Sequence, residues 1–237
     1  MLKIKNLIKI YGGGVRAVDN LSLTVEDGDI YGFIGHNGAG KTTTIKAIVG
    51  IQDFDSGDIE INGLSVKAKP MDCKKITAYI PDNPDLYEFM TGIRYLNFVA
   101  NIFDVSIPER KKAIEKYGTE LEIIDALSSP IASYSHGMKQ KLAIISALIH
   151  KPKLLVLDEP FVGLDPKASH TLKEYMKEMT TQGASIFFSS HGLEVVEKLC
   201  NKIAIIKGGK LIEAGPNEQI IGKQSLEDVF LELTENE

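Results

Sequence analysis

Apolar residues recur along this chain at two spacings. Leu2, Ile4, Leu7, Ile8 and Ile10, then Leu21, Leu23 and Val25, alternate with polar residues as half-buried strands do. After an Asp27-Gly28 turn, Ile30-Tyr31-Gly32-Phe33-Ile34 is a short apolar run of buried-strand length. A glycine-rich loop follows, then a helix predicted to begin near Lys41. Ser56-Gly57 and Asn62-Gly63 bracket a strand over 58–61 with turns at either end.

From about residue 91 the period changes. Ile93, Leu96, Phe98, Val99 and Ile102 share a helical face, and Ser106 before Pro108 predicts the cap of another helix ending near Gly118. Residues 91–127 therefore read as a mainly helical lobe inserted into an α/β core. Beyond it, 137–150, 166–181 and 191–199 predict helices, while 153–158 and 184–189 predict buried strands. Residues 203–206 and 211–214 form a hairpin pattern turned at Gly208-Gly209, and Leu226, Val229, Phe230 and Leu233 line one face of a last helix. Strands alternating with helices favour a mainly parallel sheet with helical cover.

Composition narrows the function classes. The 237 residues are 43% hydrophobic and 25% charged, as in soluble globular proteins, and can bury a sizeable core. A formal charge of -5 argues against a general grip on nucleic acid, which needs a basic face. Arg110-Lys111-Lys112 reads as a solvated helix face. Cys73 and Cys200 have no CxxC spacing and fit reduced thiols. The start, MLKIKNLIKI, lacks a signal-peptide core. The most apolar helical stretch, 142–149, is far shorter than the ~20 residues that span a bilayer. The expected location is the cytoplasm, with any membrane role exerted through a partner.

Three short stretches carry chemistry. Gly35-His36-Asn37-Gly38-Ala39-Gly40-Lys41-Thr42 fits G-x-x-x-x-G-K-[ST] between a predicted strand and a predicted helix, the setting that separates a phosphate loop from an ordinary glycine turn. Its glycines let backbone N–H groups face phosphate oxygens, and the helix start adds a field that favours an anion. Lys41 is expected on the β- and γ-phosphates and Thr42 on Mg²⁺. Asp158-Glu159 ends an apolar strand at the edge where α/β folds bind ligands. Asp158 is the expected Mg²⁺ holder, through water, and Glu159 the group that orients or deprotonates an attacking water. Ser189-Ser190-His191 ends the next strand, and His191 is placed to bond either a γ-phosphate or Glu159. His36, His136, His150 and His170 show no ligand spacing, so no transition-metal site is expected.

One stretch, YSHGMKQKL at 134–142, holds no nucleophile, metal cluster or apolar anchor, yet it places polar groups at a helix entrance. The order GHNGAGKT, YSHGMKQKL, LLVLDEP, GLDP and SSH resembles the ATP-binding cassette (ABC) family over nearly the whole chain. The resemblance implies one ABC ATPase domain over 1–237. It would have a P-loop NTPase core, an N-terminal antiparallel β subdomain and a helical subdomain at about 91–127, with the signature helix running to about 150.

It also implies roles. Ser135 and Gly137 would match the signature serine and glycine that face a γ-phosphate held by a second copy of the chain or a homologous ATPase subunit. Tyr11 would stack on adenine with Val18 nearby. Thr43 belongs to the nucleotide-binding loop, Asp165 would link two sites across the dimer, and His191 would be the switch histidine. The helical lobe would dock on an integral membrane permease.

Three positions depart from the family pattern. His136 stands where a glycine is usual, crowding the incoming phosphate. Met138 replaces a glutamine, leaving only its backbone N–H. Asp82 stands where a glutamine usually senses Mg²⁺ and water, and either Asp82 or Asn83 takes that task. These variants resemble export-type cassettes without fused membrane domains. The implied function is an ATPase, with ATP and Mg²⁺, driving a separate permease. The competing class is a cassette acting on ribosomes or DNA, but such relatives carry paired cassettes or long coiled-coil insertions.

Overall fold

A computed structural model describes residues 1–235 of the chain. Along it run β1 (Leu2–Tyr11), β2 (Val15–Val25), β3 (Ile30–Ile34), α1 (Lys41–Ile48), β4 (Ser56–Ile61), β5 (Leu64–Ser65), α2 (Pro70–Lys75) and β6 (Thr77–Ile80). A helical segment follows, with α3 (Gly92–Ile102), α4 (Ile107–Glu120), two 3₁₀ turns (Ile124–Ser128 and Ile131–Ser133) and α5 (His136–Leu148). Then come β7 (Leu154–Asp158), α6 (Pro166–Thr181), β8 (Ser185–Ser190), α7 (Leu193–Leu199), β9 (Lys202–Lys207), β10 (Lys210–Pro216), α8 (Asn217–Ile221) and α9 (Leu226–Glu235).

The strands build two sheets. The first, in order β2-β1-β4-β5, is antiparallel; the second, in order β10-β9-β3-β8-β7-β6, is parallel except for the β9–β10 hairpin. Successive side chains of a strand point to opposite faces, and here the alternation divides two cores that share the second sheet. Tyr31 and Phe33 of β3, Leu154 and Val156 of β7, and Phe187 of β8 pack toward the antiparallel sheet and α1. Their neighbours Ile34, Leu155, Leu157, Ile186 and Phe188 pack toward α5, α6 and the helical lobe. That double burial explains why β3, β7 and β8 read as continuous apolar runs. The helical lobe lies in the crossover from β6 to β7, which are adjacent and parallel. An insertion there leaves the sheet order intact.

Local rules account for many boundaries. Ser106 caps α4 by accepting from the Glu109 N–H, with Pro108 in the first turn. Asn62 (φ 51°) and Gly63 (φ 75°) make the tight β4–β5 turn, and Gly208 (φ 54°) and Gly209 (φ 80°) turn β9 into β10.

The structure also departs from the sequence reading. β2 begins at Val15 rather than near Leu21, because its polar first half pairs with the end of β1, and irregular pairing around Asn6 and Asn20, both at positive φ, masks the alternation. Ser56 and Gly57 belong to β4 rather than to a turn before it. α4 runs two residues past Gly118, whereas α5 starts one residue earlier and stops two earlier than expected. His191 does not start a helix: α7 begins at Leu193.

His150, at the end of the helical segment, stacks on Phe103 at 3.7 Å between ring centroids and 12° between planes. Burial pushes its pKa down to about 4, with a backbone contact from Thr77 offsetting part of that. The unfolded chain takes up a proton near pH 6.5 and the folded chain only near 4, so stability is complete above 6.5 and is lost as pH falls between the two. At pH 5 the loss is about 2 kcal/mol. Urea denaturation at pH 7.5 and pH 5 is expected to show a smaller drop for His150→Phe than for the parent; equal drops contradict the assignment.

Candidate nucleotide site

The parallel sheet brings the three chemical stretches to one edge. In the strand register Ile34 lies opposite Ser190, and Asp158 lies opposite Ser189. The loop after β3, the carboxylates at the end of β7 and His191 after β8 therefore emerge side by side, on strands about 4.8 Å apart. Asp82, just past β6, leaves the same edge. Together these segments line a cavity of about 460 Å³ that includes Lys41, Thr42, Asp82, Asp158, Glu159 and His191.

The loop owes its shape to close backbone approaches. At Gly40 φ is 105°, and a Cβ there would collide with the Ala17 carbonyl. At Gly35 a Cβ would come within 2.5 Å of the Ile206 carbonyl oxygen. Only glycine satisfies both positions. The turn closes with the Ala39 N–H donating to the His36 carbonyl, 3.1 Å. Lys41 Nζ donates to the carbonyls of Gly35 (2.6 Å) and His36 (3.3 Å). Its pKa is lowered by burial, against which the charges of Glu159 and Asp158 act. Asn37, Gly38, Thr42 and Thr43 also line the cavity.

The carboxylate pair is held by a residue the sequence reading leaves without a role. Ser189 Oγ donates to Asp158 Oδ1 at 2.5 Å and accepts from the Glu159 N–H at 3.2 Å. The sequence does carry a signal for it: a serine ends an apolar strand, and here it is fully buried. Glu159 itself sits at φ 48°, an uncommon conformation for a residue with a side chain. One carboxylate oxygen of Glu159 lies 3.0 Å from His191 Nδ1 and the other accepts the His191 backbone N–H at 3.2 Å. Against an ionised carboxylate, Nδ1 is the donor, which leaves Nε2 facing other partners.

The donor set fits Mg²⁺. Asp158 is 1% exposed, and its Oδ2 is buried without a protein partner, a costly arrangement unless a cation or its water completes it. Three carboxylates and one lysine surround a space shaped for a polyanion, so a divalent cation is needed to balance the charge. Asp158, Thr42 and Asp82 are the residues present to hold it. Once bound, it would neutralise charge on the phosphate oxygens. No cluster of three or more His, Cys, Asp or Glu side chains forms a metal site by itself among the described residues.

Other expected site residues lie elsewhere or act differently. Val18 is 1% exposed in the β core, so its side chain offers no face to a nucleotide; its neighbour Ala17 lines the cavity instead. Tyr11 is exposed, and its hydroxyl bonds Gln52 (2.9 Å) and Thr43 (3.3 Å), the Thr43 bond being the main cause of its lowered pKa. The Ala39 side chain is buried in the core, leaving its backbone as the part that shapes the loop. Of the two candidates after β6, Asp82 lines the cavity and Asn83 does not; the Asn83 N–H instead donates to Asp82 Oδ1 at 2.8 Å.

The YSHGMKQKL turn is a helix cap. Ser135 accepts the Met138 N–H at 3.3 Å as the N-cap of α5, so that N–H is engaged within the chain rather than free, and the Met138 side chain packs against the core. None of the described hydrogen bonds uses the N–H of His136 or Gly137. These are the unpaired donors of a helix start. The His136 ring does not stand free in front of that start: it packs on Gly163, where a Cβ would approach its Nε2 to 2.8 Å. Asp165 caps α6 by accepting the Ala168 N–H (2.8 Å) and pairs with Lys141 of α5 (2.6 Å). That lysine is the main reason the Asp165 pKa is lowered. Neither Ser135, Gly137 nor Asp165 lines the loop cavity of its own chain.

A glycine loop on a helix start, backed by a paired carboxylate edge, defines a P-loop nucleoside triphosphatase. The family model described as ABC transporter matches residues 18–162. EcsA, an ABC-type transporter ATP-binding protein of Bacillus subtilis (strain 168), is 35% identical over 244 residues, covering 100% of this chain and 98% of its own. A solved ATP-binding subunit of an ABC transporter superposes with a TM-score of 0.94 at 35% identity, over 98% of this chain and 99% of that one. The ATP-binding cassette MJ0796, solved as a dimer in a post-hydrolysis state with ADP and Pi, shares the fold with a TM-score of 0.83 at 21% identity, over 92% of this chain and 99% of that one. The chain belongs to the ABC transporter ATP-binding family, and its activity is ATP hydrolysis.

Replacing Ser189 by alanine removes a bond to a buried carboxylate. Ser189→Ala is expected to lower stability by about 2 kcal/mol in urea denaturation and to raise the Mg²⁺ concentration needed for half-maximal ATP turnover. Parental values for both would contradict the positioning of Asp158 by Ser189.

Proposed function

We propose that this chain is the ATP-hydrolysing subunit of an exporter whose permease is a separate membrane protein, and that two copies close on ATP and reopen after hydrolysis. The observation that carries this reading is the separation of two half-sites on one chain. The loop cavity holds the groups for triphosphate, Mg²⁺ and water; the signature turn borders it only through His136, whereas Ser135 and Gly137, at the helix start with the unpaired N–H groups, lie outside it. A second copy, arranged head to tail, supplies to each loop the anion site that the loop's own chain does not bring to it.

In this arrangement Lys41 and the loop N–H groups hold the phosphates, Asp158 and Thr42 hold Mg²⁺ with Asp82 beside them, and Tyr11 offers its exposed ring to adenine. Glu159 acts on the attacking water, with His191 holding its carboxylate. The Asp165–Lys141 pair and the His136–Gly163 contact tie the signature turn to the loop after Glu159, so movement at either is felt at the other.

Permease docking has support on the helical lobe. Tyr87, Phe89 and Phe98 are exposed, with Tyr87 5.8 Å from each of the other two rings. Phe89, Ile93, Arg94 and Phe98 line a groove of about 440 Å³ beside the segment that carries Asp82. An exposed aromatic groove suits a helical or looped segment of a membrane partner. No helix among the described residues is long and apolar enough to cross a membrane. The chain would thus sit on the cytoplasmic face, held there by the permease. Export is the direction favoured by the resemblance of the Ser135–Met138 turn and of Asp82 to export-type cassettes.

Glu159→Gln keeps the shape of the side chain but removes its basicity. That variant is expected to bind ATP, to turn it over at least a hundredfold more slowly, and to sediment as a dimer only with ATP present. Turnover at the parental rate would remove Glu159 as the base, and a monomer at saturating ATP would contradict closure.

A further inference from the structure

The C-terminal helix reaches the phosphate loop. α9 packs on α7, the Leu226 N–H donates to Glu197 of α7 at 2.8 Å, and Leu226, Val229 and Phe230 are buried in the core. Its last described turn then meets His36, the second residue of the loop. The Phe230 ring lies 4.8 Å from the His36 imidazole, inclined at 57°, and Thr234 Oγ1 lies 3.2 Å from His36 Nε2. Phe230 and Thr234 are 7% and 6% exposed, so this contact is sheltered from solvent on the helix side.

The hydroxyl chemistry fixes the direction of the bond. Thr234 donates its one hydroxyl proton to the Phe230 carbonyl, 2.6 Å away. Toward His36 the hydroxyl therefore accepts, and Nε2 carries the proton. The residue so held is not peripheral to the loop. Its carbonyl accepts from both Lys41 Nζ and the Ala39 N–H, the two bonds that bend the loop around the lysine. A small cavity of about 220 Å³ between α9 and the loop is lined by His36, Asn37, His191, Leu193 and Phe230, so the same helix also borders the histidine beside Glu159.

We propose that α9 is a positioning element of the nucleotide site: Thr234 and Phe230 hold the His36 imidazole in its Nε2–H form, and through His36 they set the loop that grips triphosphate. Thr234 and Phe230 are positioning residues. Their effect is exerted through His36 and, through its carbonyl, on Lys41. The proposal rests on the reading of residues 35–42 as the triphosphate loop.

The test combines ATP equilibrium binding with ¹⁵N imidazole spectra of His36, both on the full chain. Thr234→Val preserves the side-chain shape but removes the acceptor. It is expected to weaken ATP binding about three- to tenfold and to release His36 into exchange between its two tautomers. Thr234→Ser is expected to restore both, because the hydroxyl returns. A Thr234→Val chain that binds ATP as the parent does overturns the proposal. Weaker binding with an unchanged His36 tautomer overturns it too, since that marks general destabilisation of the helix. Lys41→Ala serves as the control for the loop: parental ATP binding by that variant brings down the triphosphate reading itself, and the role of α9 with it.

Discussion

The register between neighbouring parallel strands is the constraint on which the site depends. With Asp158 opposite Ser189 and Ile34 opposite Ser190, three loops that are far apart in sequence leave the sheet within two strand widths of each other. A slip of one residue in β8 would turn its buried side chains to the opposite face and separate Ser189 from both Asp158 and the Glu159 N–H. The register is protected by the double burial of β3, β7 and β8. Phe33, Phe187 and Phe188, all fully buried, fill opposite faces of one layer and leave no alternative pairing with a comparable core.

Much of that edge is legible in the sequence, and the reasons are physical. The phosphate loop can be read because backbone geometry restricts it to glycine at two positions, and residue type then reports conformation directly. Asp158, Glu159 and His191 stand out because charged or polar groups directly follow strands of apolar residues. The helices with strong amphipathic faces and good caps, α3, α4 and α6, are equally clear. By contrast, β6 and α2 have four and six residues, too few for a period to emerge. Val18 enters only through the family resemblance, which carries a position across but not the burial of its side chain, here 1% exposed. Ser189 leaves a trace, a serine ending an apolar strand, but not the partner it holds, and the roles of Lys141 and Thr234 leave none: each acts through a partner distant in sequence, and only the fold brings the two together.

The signature turn shows how a motif can be incomplete without being disordered. Ser135 caps α5, Gly137 admits the Gly163 carbonyl, and His136 covers Gly163, so the turn is held firmly in place within its own chain. The N–H groups left over at its start have no protein acceptor described, which suits an anion arriving from outside. The residues at 136 and 138 are part of the packing around the turn: His136 lies against Gly163 and borders the loop cavity, and the Met138 side chain packs against the core.

Complementation between two defective chains tests the central claim, that each triphosphate is held between one chain's loop and another chain's signature turn. Lys41→Ala disables the loop alone, and Ser135→Asp, which keeps a helix cap at an exposed position but sets a carboxylate against the incoming anion, disables the turn alone. If sites are shared, an equal mixture forms mixed dimers in which one site is whole, and turnover returns to about a quarter of the parental rate. If both variants stay inactive when mixed, although mixed dimers form, each chain completes its own site and the shared-site mechanism is wrong.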